Sequence, residues 1–259
     1  MAKANRGPSP EANRRNQARI RAQQEAAAAA RRRRFVQLGI VGGVALLVIA
    51  IVASAIIIGR RDQTGTAGGA PSVSTTVTVD GASVPFAIDG SAVRVGPADA
   101  EAKVDLWVDY SCPHCQEFEA ANASVLNQLI AAGNVSVSYH NIQIVTGYGT
   151  EAGSAAACVA ALDPTKWVEF NTSLYANHSA ATDGWGAGEF RSFAAQQGVN
   201  DAALTCIANR TYAGWIGANT AESDKQGVTG TPTMVLNGQK SDTLSGDALT
   251  AKVNQLAGR

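Results

Sequence analysis

The sequence is poor in charge, in aromatics and in cysteine, and each shortage narrows what it can be. Charged side chains make up only 16% of the 259 residues, against about 25% in an ordinary soluble protein. Four cysteines are too few for a small scaffold held together by a dense disulfide framework. There is no internal repeat. The formal net charge is zero, but the charges are segregated. Residues 1–34 carry ten Lys or Arg against only Glu11 and Glu25, whereas residues 63–259 carry nine basic and eighteen acidic side chains. A basic tail therefore precedes an acidic body, which excludes a basic nucleic-acid-binding fold as the main domain.

Charge is absent altogether from one long stretch. Phe35 to Gly59 reads FVQLGIVGGVALLVIAIVASAIIIG, with Gln37 and Ser54 its clearly polar members. As a helix it would be about 37 Å long, enough for the roughly 30 Å hydrocarbon core of a bilayer. Arg31 to Arg34 abut its start, so the positive-inside rule puts the N-terminus in the cytoplasm and the rest of the chain outside. Ala53-Ser54-Ala55 would suit a signal peptidase, but the apolar stretch exceeds the usual signal-peptide core of about 7–15 residues. An uncleaved anchor is expected. The expected organisation is a basic cytoplasmic tail over 1–34, a transmembrane helix over 35–59, a Gly/Ser/Thr-rich flexible linker over 60–76 and one extracytoplasmic domain over 77–259.

In that domain Val84–Ile88 and Ala92–Val95 read as short strands around Asp89-Gly90. Val104–Tyr110 alternates as a central strand does, and Val135–Ile142 reads as a second. Between them a helix is expected to start at Ser111, its cap, and to run through Phe118, Ala121, Val125, Leu126, Leu129 and Ile130 to Gly133. A strand, a helix and a strand in this order suggest parallel pairing. Residues 147–225 are mostly helical in pattern, with helices expected over 151–162, 165–176, 188–197 and 201–224. The block is too long for a connection and reads as an inserted helical subdomain. Thr233–Leu236 is a further strand, Asn237-Gly238 suits a type I′ turn, and 247–256 is a terminal helix.

Cys112-Pro113-His114-Cys115 is the strongest chemical signal. Two thiols three residues apart at a helix start share one face and can bridge. Pro113 fits the first turn, where no N–H is needed. The unpaired N–H groups and dipole of the helix N-terminus favour a Cys112 thiolate, and an imidazolium at His114 would add to this. A thiolate that is easily formed leaves easily, so the disulfide is a comparatively strong oxidant. Cys112 is expected to exchange with substrate and Cys115 to resolve the mixed disulfide. A structural zinc would need two further ligands, and Cys158 and Cys206 form no second close pair. An inert disulfide is less compatible with a strand–helix junction. Haem attachment fails because Gln116, not histidine, follows Cys115.

Cys158 and Cys206 lie 48 residues apart in expected helices of the insert. A structural disulfide is the simple reading, and a second redox pair is the alternative. Gly230-Thr231-Pro232-Thr233 places a proline directly before a strand. Glu117 and Glu119 read as helix-favouring surface residues, with a weak tuning of Cys115 as the alternative. Tyr148 reads as a packing residue, with a place in a peptide groove as the alternative, and His140 and His178 as unaccompanied.

With these residues the chain resembles the thioredoxin superfamily, and within it the DsbA-like thiol–disulfide oxidoreductases, membrane-anchored forms of actinobacteria above all. The resemblance spans about residues 77–257. It rests on Asp109-Tyr110-Ser111-Cys112-Pro113-His114-Cys115, on the helical insert, and on Val228-Thr229-Gly230-Thr231-Pro232-Thr233, which is similar to the family's cis-proline loop. It implies a thioredoxin-like α/β fold with an inserted helical subdomain, preceded by one transmembrane helix. It also implies a cis Thr231–Pro232 bond, with Thr231 offering its backbone to a client strand. The activity implied is donation of disulfides to reduced secreted or membrane proteins. Reoxidation would fall to a quinone-linked membrane partner, in actinobacteria often a homologue of vitamin K epoxide reductase. No cofactor, metal or nucleic acid is called for. Threonine before the proline is also similar to isomerase-like members, so the reductase or isomerase direction is the first alternative. A non-enzymatic, membrane-tethered adaptor is the second.

Overall fold

The computed structural model describes residues 70–259. The expected basic tail, the membrane span and the first part of the linker lie outside the described residues. Among the described residues no helix is long and apolar enough to cross a membrane.

The strands are β1 (Ser74–Val79), β2 (Ala82–Asp89), β3 (Ala92–Val95), β4 (Ala102–Val108), β5 (Val135–Asn141), β6 (Thr233–Leu236) and β7 (Gln239–Ser241). They form one sheet in the order β1-β2-β3-β5-β4-β6-β7. Only β4 and β5 pair in parallel; every other pairing is antiparallel. The helices are α1 (Pro113–Ala131), α2 (Gly147–Leu162), α3 (Trp167–Asn177), α4 (Ala187–Gln196), α5 (Asp201–Ala208), α6 (Ala213–Lys225) and α7 (Gly246–Leu256). Helix α1 is the crossover between the parallel strands, because a parallel pair cannot be closed by a tight turn.

The pleat sorts side chains between two faces. Phe86, Val95, Val137, Val104 and Leu236 form one cross-strand row, and Ile88, Val93, Tyr139, Leu106 and Met234 the next. All ten are buried. Trp167, at the start of α3, sets its ring edge-on against Phe86 and Tyr139 of these rows. The opposite face carries Arg94, Ser138, Asp105 and Val235 in one row and His140, Trp107 and Thr233 in another. There Trp107 and His140 stack at 4.2 Å between ring centres. His140 also bonds Ser91 Oγ and approaches Asp105 Oδ1 at 3.4 Å, so it has partners after all.

Three expectations on the elements need correction. The linker does not reach residue 76, because Ser74–Thr76 already pair with β2. The strand is hard to see because only its Val77 and Val79 are buried, as suits an edge strand with one apolar side. The single helix expected over 201–224 is two. Helix α5 ends at Ala208, Arg210 turns with φ of 51°, and the Thr211 N–H donates back to the Cys206 carbonyl, a Schellman-type stop. Arg210 also pairs with Glu151 of α2. The α1 cap is Cys112, not Ser111. At Asn237 and Gly238 both φ angles are positive, the geometry a type I′ hairpin turn requires between β6 and β7.

The helical block 147–225 contains α2 to α6. Cys158 of α2 and Cys206 of α5 are joined by a disulfide, with Cα atoms 5.7 Å apart. These two thiols are therefore not available to complete a metal site with Cys112 and Cys115.

Candidate active site

The site forms where β4 runs out into α1. Asp109, Tyr110 and Ser111 follow the strand and are fully buried. The Asp109 carboxylate organises this junction. Its Oδ1 accepts from the Ser111 N–H at 2.8 Å and from the Ser111 hydroxyl at 2.6 Å. Its Oδ2 accepts from the N–H groups of Ile144 and Val145 at 2.7 and 2.9 Å. One buried carboxylate thus ties the loop after β5 to the start of the dithiol helix. The Ser111 Oγ also accepts from the Thr146 N–H. The side-chain oxygen that the sequence assigns to the helix end is used to hold the loop instead.

Cys112 and Cys115 are both thiols in the structure and both buried. Cys112, at 5% exposure, keeps a small window to solvent, and Cys115, at 1%, is covered. Cys112 Sγ lies 3.3 Å from the Thr231 carbonyl oxygen, and the Thr231–Pro232 bond is cis. The structure therefore brings together the two motifs that are farthest apart in the sequence.

The two sulfurs are electrostatically unlike. The Cys115 thiol, donating to Cys112, does most to favour a Cys112 thiolate; burial opposes it, and the Thr231 hydroxyl and the peptide N–H groups of Cys115 and His114 assist. The result pulls the Cys112 pKa down to about 5. Cys115 is pushed far above an ordinary thiol, chiefly because it serves as that donor and then because it is buried. His114 corrects an expectation. Its contribution to Cys112 is its peptide N–H, while its side chain is 79% exposed and faces Glu117 Oε2 at 3.3 Å. Pro113 occupies the first helical position.

A buried polar network lies against α1. Glu119, expected on the surface, is only 4% exposed. Its Oε1 accepts from the Thr172 hydroxyl at 2.7 Å and the Asn171 amide at 3.3 Å. Asn171 Oδ1 in turn accepts from the Tyr110 hydroxyl at 2.7 Å. Burial pushes the Glu119 carboxyl above its ordinary value, and the two donors partly offset this. Gln116 donates to the Tyr175 carbonyl at 2.8 Å, fastening α1 to the end of α3. Tyr148 is buried and donates to the Leu174 carbonyl, so it packs rather than lining a groove.

Beside the thiols a groove of about 420 Å³ runs along α1. His114, Glu117, Phe118 and Ala121 of α1 line it together with Thr231 and Pro232 of the cis-proline loop. Sequence reading missed this groove, because Pro232, Thr243 and Ser245 join it from more than a hundred residues away.

Paired thiols at a strand–helix junction, facing a cis-proline loop on a mostly antiparallel sheet with one parallel pair, define a thioredoxin-like dithiol protein. A thioredoxin family model matches residues 89–255. The chain belongs to that family, and its architecture is DsbA-like. It is similar to oxidised DsbA of Mycobacterium tuberculosis at 25% identity and a TM-score of 0.56, over 65% of this chain and 93% of that one. A disulfide bond oxidoreductase (DsbG) of the same organism matches in fold at 24% identity and a TM-score of 0.58, over 66% and 89%. The MdbA thiol–disulfide oxidoreductase of Corynebacterium diphtheriae does so at 23% and 0.55, over 64% and 90%. A stretch of 127 residues is 28% identical to the serine/threonine-protein kinase PknE of M. tuberculosis. That match covers 44% of this chain and 22% of the kinase, so the chain spans under a quarter of that relative's length.

Proposed function

We propose that this protein is an extracytoplasmic thiol–disulfide oxidoreductase that donates the Cys112–Cys115 disulfide to reduced protein clients. The observation that carries the reading is the asymmetry of the pair. A thiolate at Cys112 with a pKa of about 5, beside a buried Cys115 that resists ionisation, stabilises the dithiol form relative to the disulfide and makes the disulfide oxidising. A client thiolate attacks Cys112 Sγ. The Cys112–Cys115 bond breaks, and Cys115 leaves and takes up a proton. A second client thiol then attacks its own partner in the mixed disulfide and releases Cys112 as a thiolate. Two electrons pass from client to protein.

In this reading Cys112 and Cys115 are the catalytic residues, and Pro113 and His114 shape the helix start. Thr231 and Pro232 present backbone to the client as an added strand. The Cys158–Cys206 disulfide is structural. The apolar run over 35–59 anchors the chain with its N-terminus in the cytoplasm, and residues 60–73 link it to the catalytic domain. Clients are secreted or membrane proteins. The electrons leave to a quinone-linked membrane reoxidant, such as a vitamin K epoxide reductase homologue.

The test is the reduction potential of the full chain in a non-ionic detergent, equilibrated in glutathione buffers. A potential near about −120 mV, that of strongly oxidising DsbA, supports donation; one near about −270 mV, that of thioredoxin, would make the protein a reductase.

A further inference from the structure

The groove beside Cys112 has an electrostatic sign. Its floor and walls are apolar or neutral: Phe118, Ala121 and Pro232, with Asn122, Thr243 and Ser245. The Asn122 amide is committed within the protein, donating to the Phe118 carbonyl and accepting from the Gly246 N–H. The lining includes no Lys or Arg and one carboxylate, Glu117. That side chain is 77% exposed, and the contact recorded for it is the His114 ring, at 3.3 Å. His114 and Glu117 are three apart on α1 and so share one face of the helix, and both line the groove.

We infer that Glu117 selects clients whose reactive cysteine has a lysine or arginine within two or three residues, seated in the groove with its ammonium or guanidinium against the Glu117 carboxylate. The occupant follows from three features. The groove reaches the Cys112 sulfur through Thr231, which lines it beside Pro232 and whose carbonyl oxygen lies 3.3 Å from Cys112 Sγ. Its apolar floor accommodates the methylene stem of a long basic side chain, which can cover apolar surface while its charged end stays wet. Its carboxylate attracts a cation and repels an acid. A client cation would also favour the thiolate form of the attacking cysteine. The inference rests on the disulfide-donor reading and names the substrate class of that site.

The test uses the full chain, oxidised, in a non-ionic detergent at pH 8. It is mixed with single-cysteine peptides that differ only in carrying Lys, Gln or Glu on one side or the other of the cysteine. The mixed disulfide is acid-quenched and quantified. An exposed pair of this kind changes the Lys-to-Glu rate ratio by about 2- to 10-fold, and that preference should fade at 1 M salt, where the screening length is about 3 Å. Each rate is divided by the same peptide's rate with a small neutral disulfide at the same pH and salt, which removes the effect of the neighbouring charge on the peptide thiol itself. Glu117→Gln should bring this normalised ratio close to one and Glu117→Lys should invert it. Equal normalised rates for the Lys and Glu peptides at every position overturn the inference and leave the donor reading standing. A normalised preference that survives Glu117→Gln also overturns it. No reaction with any peptide overturns the donor reading itself, and the inference falls with it.

Discussion

Cys112 Sγ lies 3.3 Å from the carbonyl oxygen of Thr231, 119 residues further along the chain. The whole helical block 147–225 is inserted between these two partners, so the site exists only when the sheet has closed around it. Strand β6 places Thr233 beside Trp107 of β4, which brings the loop before β6 up to the loop after β4. The antiparallel pairing of β4 with β6 is thus what sets a backbone carbonyl against the Cys112 sulfur.

Cys112 should titrate near pH 5 rather than near 9. Thiolate absorbance near 240 nm, or the pH dependence of alkylation, should show a midpoint at about 5 in the reduced protein and in Cys115→Ala a higher one, since the Cys115 thiol is the main donor to Cys112. The linkage has a definite sign. The folded pKa lies below the unfolded value of 9.0, so the thiolate stabilises the reduced fold fully above pH 9, and this stability is lost as pH falls through about 5. Denaturant midpoints of the reduced and oxidised forms should diverge as pH rises from 5. Midpoints that keep a constant difference across this range would show that Cys112 is an ordinary thiol.

Glu119 should make the fold less stable as pH rises. Its carboxyl is raised above 4.5 by burial, so the folded state holds the proton more tightly than the unfolded chain does. Stability is then lost as pH climbs from about 4.5 through the folded value. Glu119→Gln keeps an acceptor for Thr172 and Asn171 and should flatten that decline, measured on the oxidised protein so that Cys112 does not contribute. Glu119→Ala should cost about 1–3 kcal/mol, because it orphans buried donors. An unchanged pH profile in Glu119→Gln would refute the buried-acid assignment.

The course of the fold was legible where local pattern and burial agree. The β4–α1–β5 unit, the mostly helical block and the Asn237-Gly238 hairpin all carry their own period or turn chemistry. The misreadings come from residues whose role is set at long range. Ser74–Thr76 look like linker because β1 buries only two side chains. Of the expected stripe on α1, Phe118, Leu126, Leu129 and Ile130 are buried and Ala121 and Val125 are not, while Cys115, Glu119 and Asn122 are buried beside it. Glu119 lies four residues after Cys115, on the same face, so the sequence did hold a sign that this acid is buried. Nothing local to Asp109 marks it as the partner of Ile144 and Val145, because those donors arrive from the end of another strand. The groove is likewise built from three separated segments.

Breaking the Cys158–Cys206 disulfide should weaken the fold without moving the redox chemistry. Its 48-residue separation corresponds to roughly 3–4 kcal/mol in the chain-entropy model. Cys158→Ser/Cys206→Ser should therefore lower the denaturant midpoint while the reduction potential of Cys112–Cys115 stays where it is. A shift in that potential would instead mark Cys158 and Cys206 as a second redox pair that relays electrons.

Gly149→Ala should disturb the candidate active site from outside it. Gly149 sits in the first turn of α2, and a Cβ there would overlap Asp109 Oδ1 and lie 3.2 Å from Ser111 Oγ. Neither atom has freedom to retreat. Asp109 Oδ1 accepts two bonds from Ser111, and its other oxygen holds Ile144 and Val145. The added methyl must therefore push the carboxylate off some of its four donors or shift the start of α2. Overpacking of this kind costs about 1–3 kcal/mol, and each buried donor left without a partner adds about 1–3 kcal/mol. Because Ser111 directly precedes Cys112, the displacement should also reach the thiol, and the Cys112 titration midpoint should rise from about 5. Gly153→Ala is the control one turn further along α2. Its Cβ would meet the side chain of Ile216 at 2.9 Å, so it crowds α2 against α6 and not against the dithiol. It should lower stability and leave the Cys112 midpoint in place. If both variants destabilise and neither moves that midpoint, Asp109 holds the loop but does not position the reactive sulfur.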